Sequence, residues 1–286
     1  MYVRDEIINA ILRLYQQVIR HPYLDEISLL VPPLGGWSLI SVQGKTETVL
    51  DLLRHLPYLC SRKQYDRLLI NWETVPICYI HDEGHHEAYS LPVHCVYLAR
   101  GVDREGTSLI LDTEQATITE YCHTGTYITV SKEEYEALSE ADKWKAHRTS
   151  PIAEFFDAWT RRYEKLVWML TPNPIGQPTT GRFYSRAETS AEEDRLLQED
   201  QLKLWRFRDD INPPDSANAL DKARYEARID MRRHVEDVYN TYLRYGWPRH
   251  FDKDGCRSQL LRLEKTKDAE DRRKMDDINP DAHLFD

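Results

Sequence analysis

The stretch LPVHCVYLARGVDREGTSLILDTEQATITEY, residues 91–121, decides the fold together with PIAEFFDAWTRRYEKL, which starts at Pro151. Residues 93–99 read as a strand, and Gly101 to Gly106 as a turn. SLILD, residues 108–112, is a continuous apolar run, which marks a strand buried on both faces. Thr117 to Tyr121 alternates and suits a hairpin partner. Ile152, Phe155, Phe156, Trp159, Tyr163, Leu166 and Val167 recur at helical spacing within 152–170. Pro151 stands at the helix start, where its missing N–H is harmless. Strands followed by an amphipathic helix predict an α+β fold: a small, mostly antiparallel sheet with flanking helices, followed by a helical C-terminal region.

Working outward, residues 4–20 form an amphipathic helix with Ile7, Ile8, Ile11, Leu12, Leu14, Tyr15, Val18 and Ile19 on its broad apolar face, stopped by His21-Pro22. Thr46 or Thr48 caps a short helix whose Val49, Leu50, Leu52, Leu53 and Leu56 face inward, and Pro57 ends it. Residues 68–80 read as one or two strands, with Pro76 pointing to an edge or a bulge. A polar helix is expected over 132–143. Residues 1–170 thus make one α+β domain. Prolines and glycines mark 171–190 as a linker or an arm over the surface. Helices are expected over 191–208, 217–245 and 254–275, the second with Met231, Val235, Val238 and Tyr242 on one stripe and Gly246 as its C-terminal cap. Thin apolar stripes imply that region 191–263 packs on the first domain. Residues 264–286 read as a polar, mobile tail. DDINPPD at 209–215 recurs as DDINPDA at 276–282, a helix stop used twice or a duplicated acidic docking peptide.

The chain carries a formal charge of −10, with 17 Tyr and 7 Trp. An acidic chain repels phosphate backbones, which disfavours general nucleic-acid binding. The run Arg224 to Arg233 is the best local candidate for such a role, and acids interrupt it. No run approaches the roughly 18 apolar residues of a membrane span, and nothing resembles a signal peptide. Five cysteines without paired spacing fit reduced thiols. The expected location is therefore cytoplasmic or nuclear, not secreted.

Chemistry-bearing residues are few. HDEGHHE, residues 81–87, offers three imidazoles and three carboxylates in one short loop, a set suited to zinc, iron or manganese. His81, His85 and His86 are its candidate metal ligands, and His85, His86 and Glu87 its candidate catalytic groups. The segment lacks the HExxH order and reads equally as a solvated loop between strands. Cys78, His94, Cys95, Cys122 and His123 lie on or beside predicted strands. His94 and Cys95, being adjacent on a strand, are expected to face opposite ways, and Cys95 with His123 is a conceivable nucleophile pair. Asp112 either serves chemistry or caps the turn after its strand, and the turn is favoured. Arg54 either binds an anion or pairs with Asp51, and the pair is favoured. The glycines form no phosphate cradle, and no hydrolase elbow or kinase motif is present.

GW at 36–37, GKTETVLDLLRHLPYL at 44–59, GTSLILDTEQATITEY at 106–121, PIAEFFDAWTRRYEKLVWM at 151–169 and YLRYGWPRHFDKDGC at 242–256 resemble a widespread set of fungal proteins of mostly unassigned function. The order of elements is also similar to the Smi1/Knr4 (SUKH) type of α+β domain. That similarity implies a cytosolic or nuclear adaptor that binds other proteins, with no catalytic residues to carry over. The favoured expectation is a protein-interaction or regulatory module with a protein partner. The alternative is a lineage-specific fungal biosynthetic enzyme using the His81–Glu87 loop and a divalent metal. A tRNA-dependent cyclodipeptide synthase is the lesser variant, because the acidic charge opposes a tRNA substrate.

Overall fold

The computed structural model describes residues 4–38, 42–61, 66–80, 91–176, 179–208 and 218–278. Its centre is a five-stranded antiparallel meander of β3 (Thr74–Pro76), β4 (Cys95–Gly101), β5 (Thr107–Asp112), β6 (Thr117–Cys122) and β7 (Thr149–Pro151), side by side in chain order. β5 is the middle strand and is buried on both faces from Leu109 to Asp112, as its apolar run requires. Pro76 lies on an edge strand, where a missing donor is tolerated. The register sets Cys95 opposite Asp112 and Thr107 opposite Cys122. The β4–β5 turn brings Gly106 against β3: a Cβ there would sit 2.4 Å from the Glu73 carbonyl oxygen, so only glycine fits.

Period-two alternation divides the side chains of β5 between two cores. Leu109 and Leu111 join the main core, with α1 (Arg4–Arg20), α2 (Glu47–His55) and α4 (Ile152–Glu164) laid against it. Ile110 faces a smaller outer core with Leu91, Cys95, Tyr121 and Trp144. Thr46 caps α2 by accepting from the Val49 N–H at 3.3 Å. The short strands β1 (Leu29–Leu30) and β2 (Tyr58–Leu59) pair beside the main core. The polar segment 132–143 divides into α3 (Lys132–Ala137) and a 3₁₀ turn from Glu140 to Ala146.

α4 ends earlier than its periodicity implies. Leu166 takes a left-handed φ of 50°, which terminates the helix, and the chain continues as β8 (Trp168–Pro172). The Pro- and Gly-rich segment then returns as β9 (Gly181–Ser185), paired antiparallel with β8. The stretch read as a linker is therefore half of a hairpin, its prolines and glycines serving the turn.

A short α5 (Ser190–Leu197) precedes the long helices α6 (Ala219–Arg244) and α7 (Lys253–Ile278). Their apolar faces close a further core with Leu166 and Met169, so the helical region does fold back. Val235, Val238 and Tyr242 are buried as expected, whereas Met231 is exposed. Gly246 caps α6 at φ 89°. Residues 264–278, expected within a polar tail, are the second half of α7, and Glu264 on it is fully buried. Residues 209–217 and 279–286, which hold most of both DDINP copies, lie outside the described residues. None of the described helices is long and apolar enough to cross a membrane.

The expectation of five reduced thiols is corrected. Cys60 and Cys78 form a disulfide, while Cys95, Cys122 and Cys256 are free and buried. Cys60 follows β2 and Cys78 follows β3, so packing unites them and no local spacing reveals the pair.

Candidate functional site

The His-rich loop read as the densest site, with His81, His85, His86 and Glu87, lies outside the described residues. The second sequence cluster separates into three. Cys78 is consumed by its disulfide. Cys122 sits at the far end of β6 from the Cys95–Asp112 pair, about 17 Å away at the usual strand rise. Its thiol meets the Thr124 hydroxyl at 3.0 Å. His123 beside it contacts the Tyr121 ring at 5.0 Å. The register thus keeps Cys95 and His123 apart and removes that nucleophile pair.

His94 and Cys95 do face one site, against the strand-alternation argument. His94 belongs to the turn before β4, where the Cys95 N–H donates to the Pro92 carbonyl at 2.9 Å, so strand geometry begins only at Cys95. Thr113 fixes the His94 carbonyl with its N–H at 3.1 Å and its hydroxyl at 2.9 Å. His94 Nε2 then lies 3.7 Å from Asp112 Oδ2, and Nδ1 lies 3.6 Å from Glu114 Oε1. Ligand atoms of His94, Cys95 and Asp112 all fall within 4.8 Å of one another. Asp112 Oδ1 accepts from the Glu114 and Gln115 N–H groups at 2.8 and 2.9 Å, which bears out its turn role and leaves Oδ2 toward His94. Burial, followed by the Asp112 carboxylate, pushes the Cys95 thiol up to about 12, so without a metal it is a poor nucleophile.

At the opposite end of the same strands, three turns meet the β8–β9 hairpin and leave an open cleft of about 510 Å³. The first is the tight turn from Asn71 to Thr74, where Asn71 Oδ1 accepts from the Trp72 N–H at 2.7 Å and Trp72 remains half exposed at the tip. The second is the β4–β5 turn, which contributes Glu105. The third follows β6 and brings Tyr127. Trp168 and Phe183 close the cleft from β8 and β9. Arg148 lies over the Tyr127 ring at 4.5 Å and Arg162 over Trp168 at 4.8 Å, so two of these rings already take a guanidinium on one face. Both arginines are neutralised within the chain, by Glu120 and Glu193. Glu73 follows Trp72 in the first turn. Its Oε2 is buried with no hydrogen-bond partner among the described residues, and burial, then Asp103 and Glu105, hold its carboxyl above the usual range. Sequence reading missed this site because its aromatic residues come from four separate segments. The surplus of Trp and Tyr was the only signal of it.

Two further candidates resolve into internal pairs. Arg54 donates to Glu47 at 2.7 Å, while Asp51 is taken by Arg4 at 3.1 Å, so the expected Arg54–Asp51 pair is replaced. In the basic run, Arg228 pairs with Glu188 and the buried Arg232 with Glu192. A second cleft of about 560 Å³ is lined by Arg186, whose guanidinium stacks 4.1 Å from the Tyr239 ring and pairs with Glu199.

No protein family matches the chain in comparison, and neither does any curated protein or solved structure.

Proposed function

We propose that the chain is a protein-interaction module that captures a basic side chain of a partner in the cleft between the sheet turns and the β8–β9 hairpin. One observation carries this reading: Trp72, Tyr127, Trp168, Phe183 and the acidic residue Glu105 line one open cleft. Aromatic faces attract ammonium and guanidinium groups through the ring quadrupole, and a carboxylate at the rim fixes the cation. The net charge of −10 steers basic partners toward the chain.

The test is a titration of the chain with a Gly-Lys-Gly-Lys-Gly peptide and its glutamate counterpart, read by tryptophan fluorescence. The lysine peptide is expected to bind and to weaken with added salt. Trp72→Ala should weaken it about fivefold to tenfold, the scale of one cation–π contact. Equal binding by wild type and Trp72→Ala, or by the glutamate peptide, removes this reading.

A further inference from the structure

The two ends of β4 and β5 carry different chemistry, and the end away from the cleft gathers an imidazole, a thiol and a carboxylate. His94 lies between two carboxylates, Asp112 Oδ2 at 3.7 Å and Glu114 Oε1 at 3.6 Å. Both separations exceed the hydrogen-bond range of about 2.7–3.2 Å. Imidazole, thiol and carboxylate instead each offer a ligand atom within 4.8 Å of the other two.

We propose that His94, Cys95 and Asp112 bind a divalent cation of the zinc class, with Glu114 positioning the histidine. Tetrahedral zinc with bonds of about 2.0–2.3 Å requires donors about 3.3–3.8 Å apart. The His94–Asp112 separation of 3.7 Å lies within about 0.4 Å of the nitrogen–oxygen spacing this requires. The widest separation, at most 4.8 Å, needs about 1 Å of inward movement, which the partly exposed His94 ring can supply. Mixed sulfur, nitrogen and oxygen donors select zinc over magnesium or calcium, which prefer oxygen alone.

The surrounding groups match those of a ligated metal. A ligating histidine turns its other ring nitrogen to a carboxylate, as Nδ1 does toward Glu114. A ligating carboxylate is itself held by hydrogen bonds, as Asp112 Oδ1 is by two backbone N–H groups. Cys95 is rigid, being fully buried in β4 beside Ile110 and Trp144. Lys45 is the nearby cation, and its ammonium faces the Leu91 and Pro92 carbonyls at 3.3 Å. The bound metal would tie the start of β4 to the end of β5, and its fourth position would take water or a donor from a partner. The site is independent of the aromatic cleft.

Cobalt(II) chloride is the probe, because thiolate ligation gives a sulfur-to-cobalt charge-transfer band. One equivalent is expected to produce that band, and zinc chloride to displace it. Cys95→Ser should abolish the band, and His94→Ala should weaken cobalt binding at least tenfold. Glu114→Gln should keep the band while lowering affinity about tenfold to a hundredfold, the usual effect of losing such an orienting group. The double change of His85 and His86 to Ala should leave the band intact. Circular dichroism checks each fold, and if Cys95→Ser unfolds, the His94→Ala and Glu114→Gln titrations decide. A wild-type chain without the band, a band that survives Cys95→Ser, or metal uptake that follows His85 and His86 would overturn the assignment.

Discussion

His21 is completely buried where the end of α1 meets the C-terminal helices. Its Nδ1 lies 2.7 Å from the Tyr242 hydroxyl, which donates to the Leu170 carbonyl at 2.6 Å. The rings of Tyr163, Tyr242 and Trp247 surround it at 5.1–5.2 Å, and the cations facing it are Arg20 and Lys253. Burial, reinforced by those cations, pushes its pKa down to about 3. The unfolded chain takes up a proton near pH 6.5 and the folded chain does not. This contribution is therefore complete above that pH and declines as pH falls toward 3, by about 1.4 kcal/mol per pH unit. Urea unfolding at pH 5 should give a stability about 2 kcal/mol below that at pH 8. His21→Gln should flatten that slope, and an unchanged slope would reassign the effect. Legibility at this scale follows locality. Asp112 was readable because a turn is closed by near neighbours. The facing of His94 was not, since it depends on where the strand begins. The partner of Arg54 was not either, because Arg4 on α1 claims Asp51.

Among the elements, β8, β9, α6 and α7 are joined by one carboxylate. Glu264 on α7 is fully buried and accepts from Thr171 at 2.7 Å, Arg182 at 2.8 Å and Tyr184 at 2.9 Å, with His234 of α6 at 3.4 Å. Burial alone would raise its pKa, but His234, Thr171 and Tyr184 together hold it below the usual carboxylate range. That stability is present above the ordinary carboxyl pKa and is lost as pH falls below it, a window that overlaps the lower part of that of His21. Glu264→Ala should cost about 3–5 kcal/mol, read from denaturant midpoints, because Arg182 loses a buried partner and Thr171 and Tyr184 lose their acceptor. A cost under 1 kcal/mol would show that the network is relaxed. The same scale holds the disulfide, which closes a loop over a sequence separation of 18. Thiol titration in denaturant should find three groups before reduction and five after. Replacing both bonded cysteines with alanine should cost about 3 kcal/mol. Three free thiols from the start with reductant absent would contradict nothing, whereas five would. This bond also removes the thiol argument for a cytosolic location, since such bonds persist in oxidising surroundings. The strands β3 to β6 were legible because alternation and turn residues agree there. The β8–β9 hairpin was not, because apolar spacing continues past the helix end and its turn has the composition of a linker.

At the scale of the whole molecule, the N-terminal helix and the C-terminal helices complete each other. Lys253 donates to the Ile19 carbonyl, and Arg257 donates to the Pro22 and Leu24 carbonyls at 2.6 and 3.0 Å. Arg20 reaches the Pro248 carbonyl at 2.7 Å and lies over the Trp247 ring. Carbonyls at a helix end need such donors when water is excluded, and here they come from more than two hundred residues along the chain. Leu166 and Met169, both fully buried, belong to a core that is otherwise built from α6, α7 and the residues between them. Removing those helices would expose that apolar face, strand the carbonyls after α1 and leave His21 without Tyr242. A chain cut after residue 190 is therefore expected to lose the sharp near-ultraviolet aromatic signal and to bind a hydrophobic dye, as collapsed chains without fixed packing do. The full chain should unfold in urea as one transition, with far- and near-ultraviolet signals coincident. A truncated chain that keeps its aromatic signal and unfolds cooperatively would show that the meander and its helices stand alone. The contacts around His21 would then be a docking surface between two independent units rather than a shared part of one core.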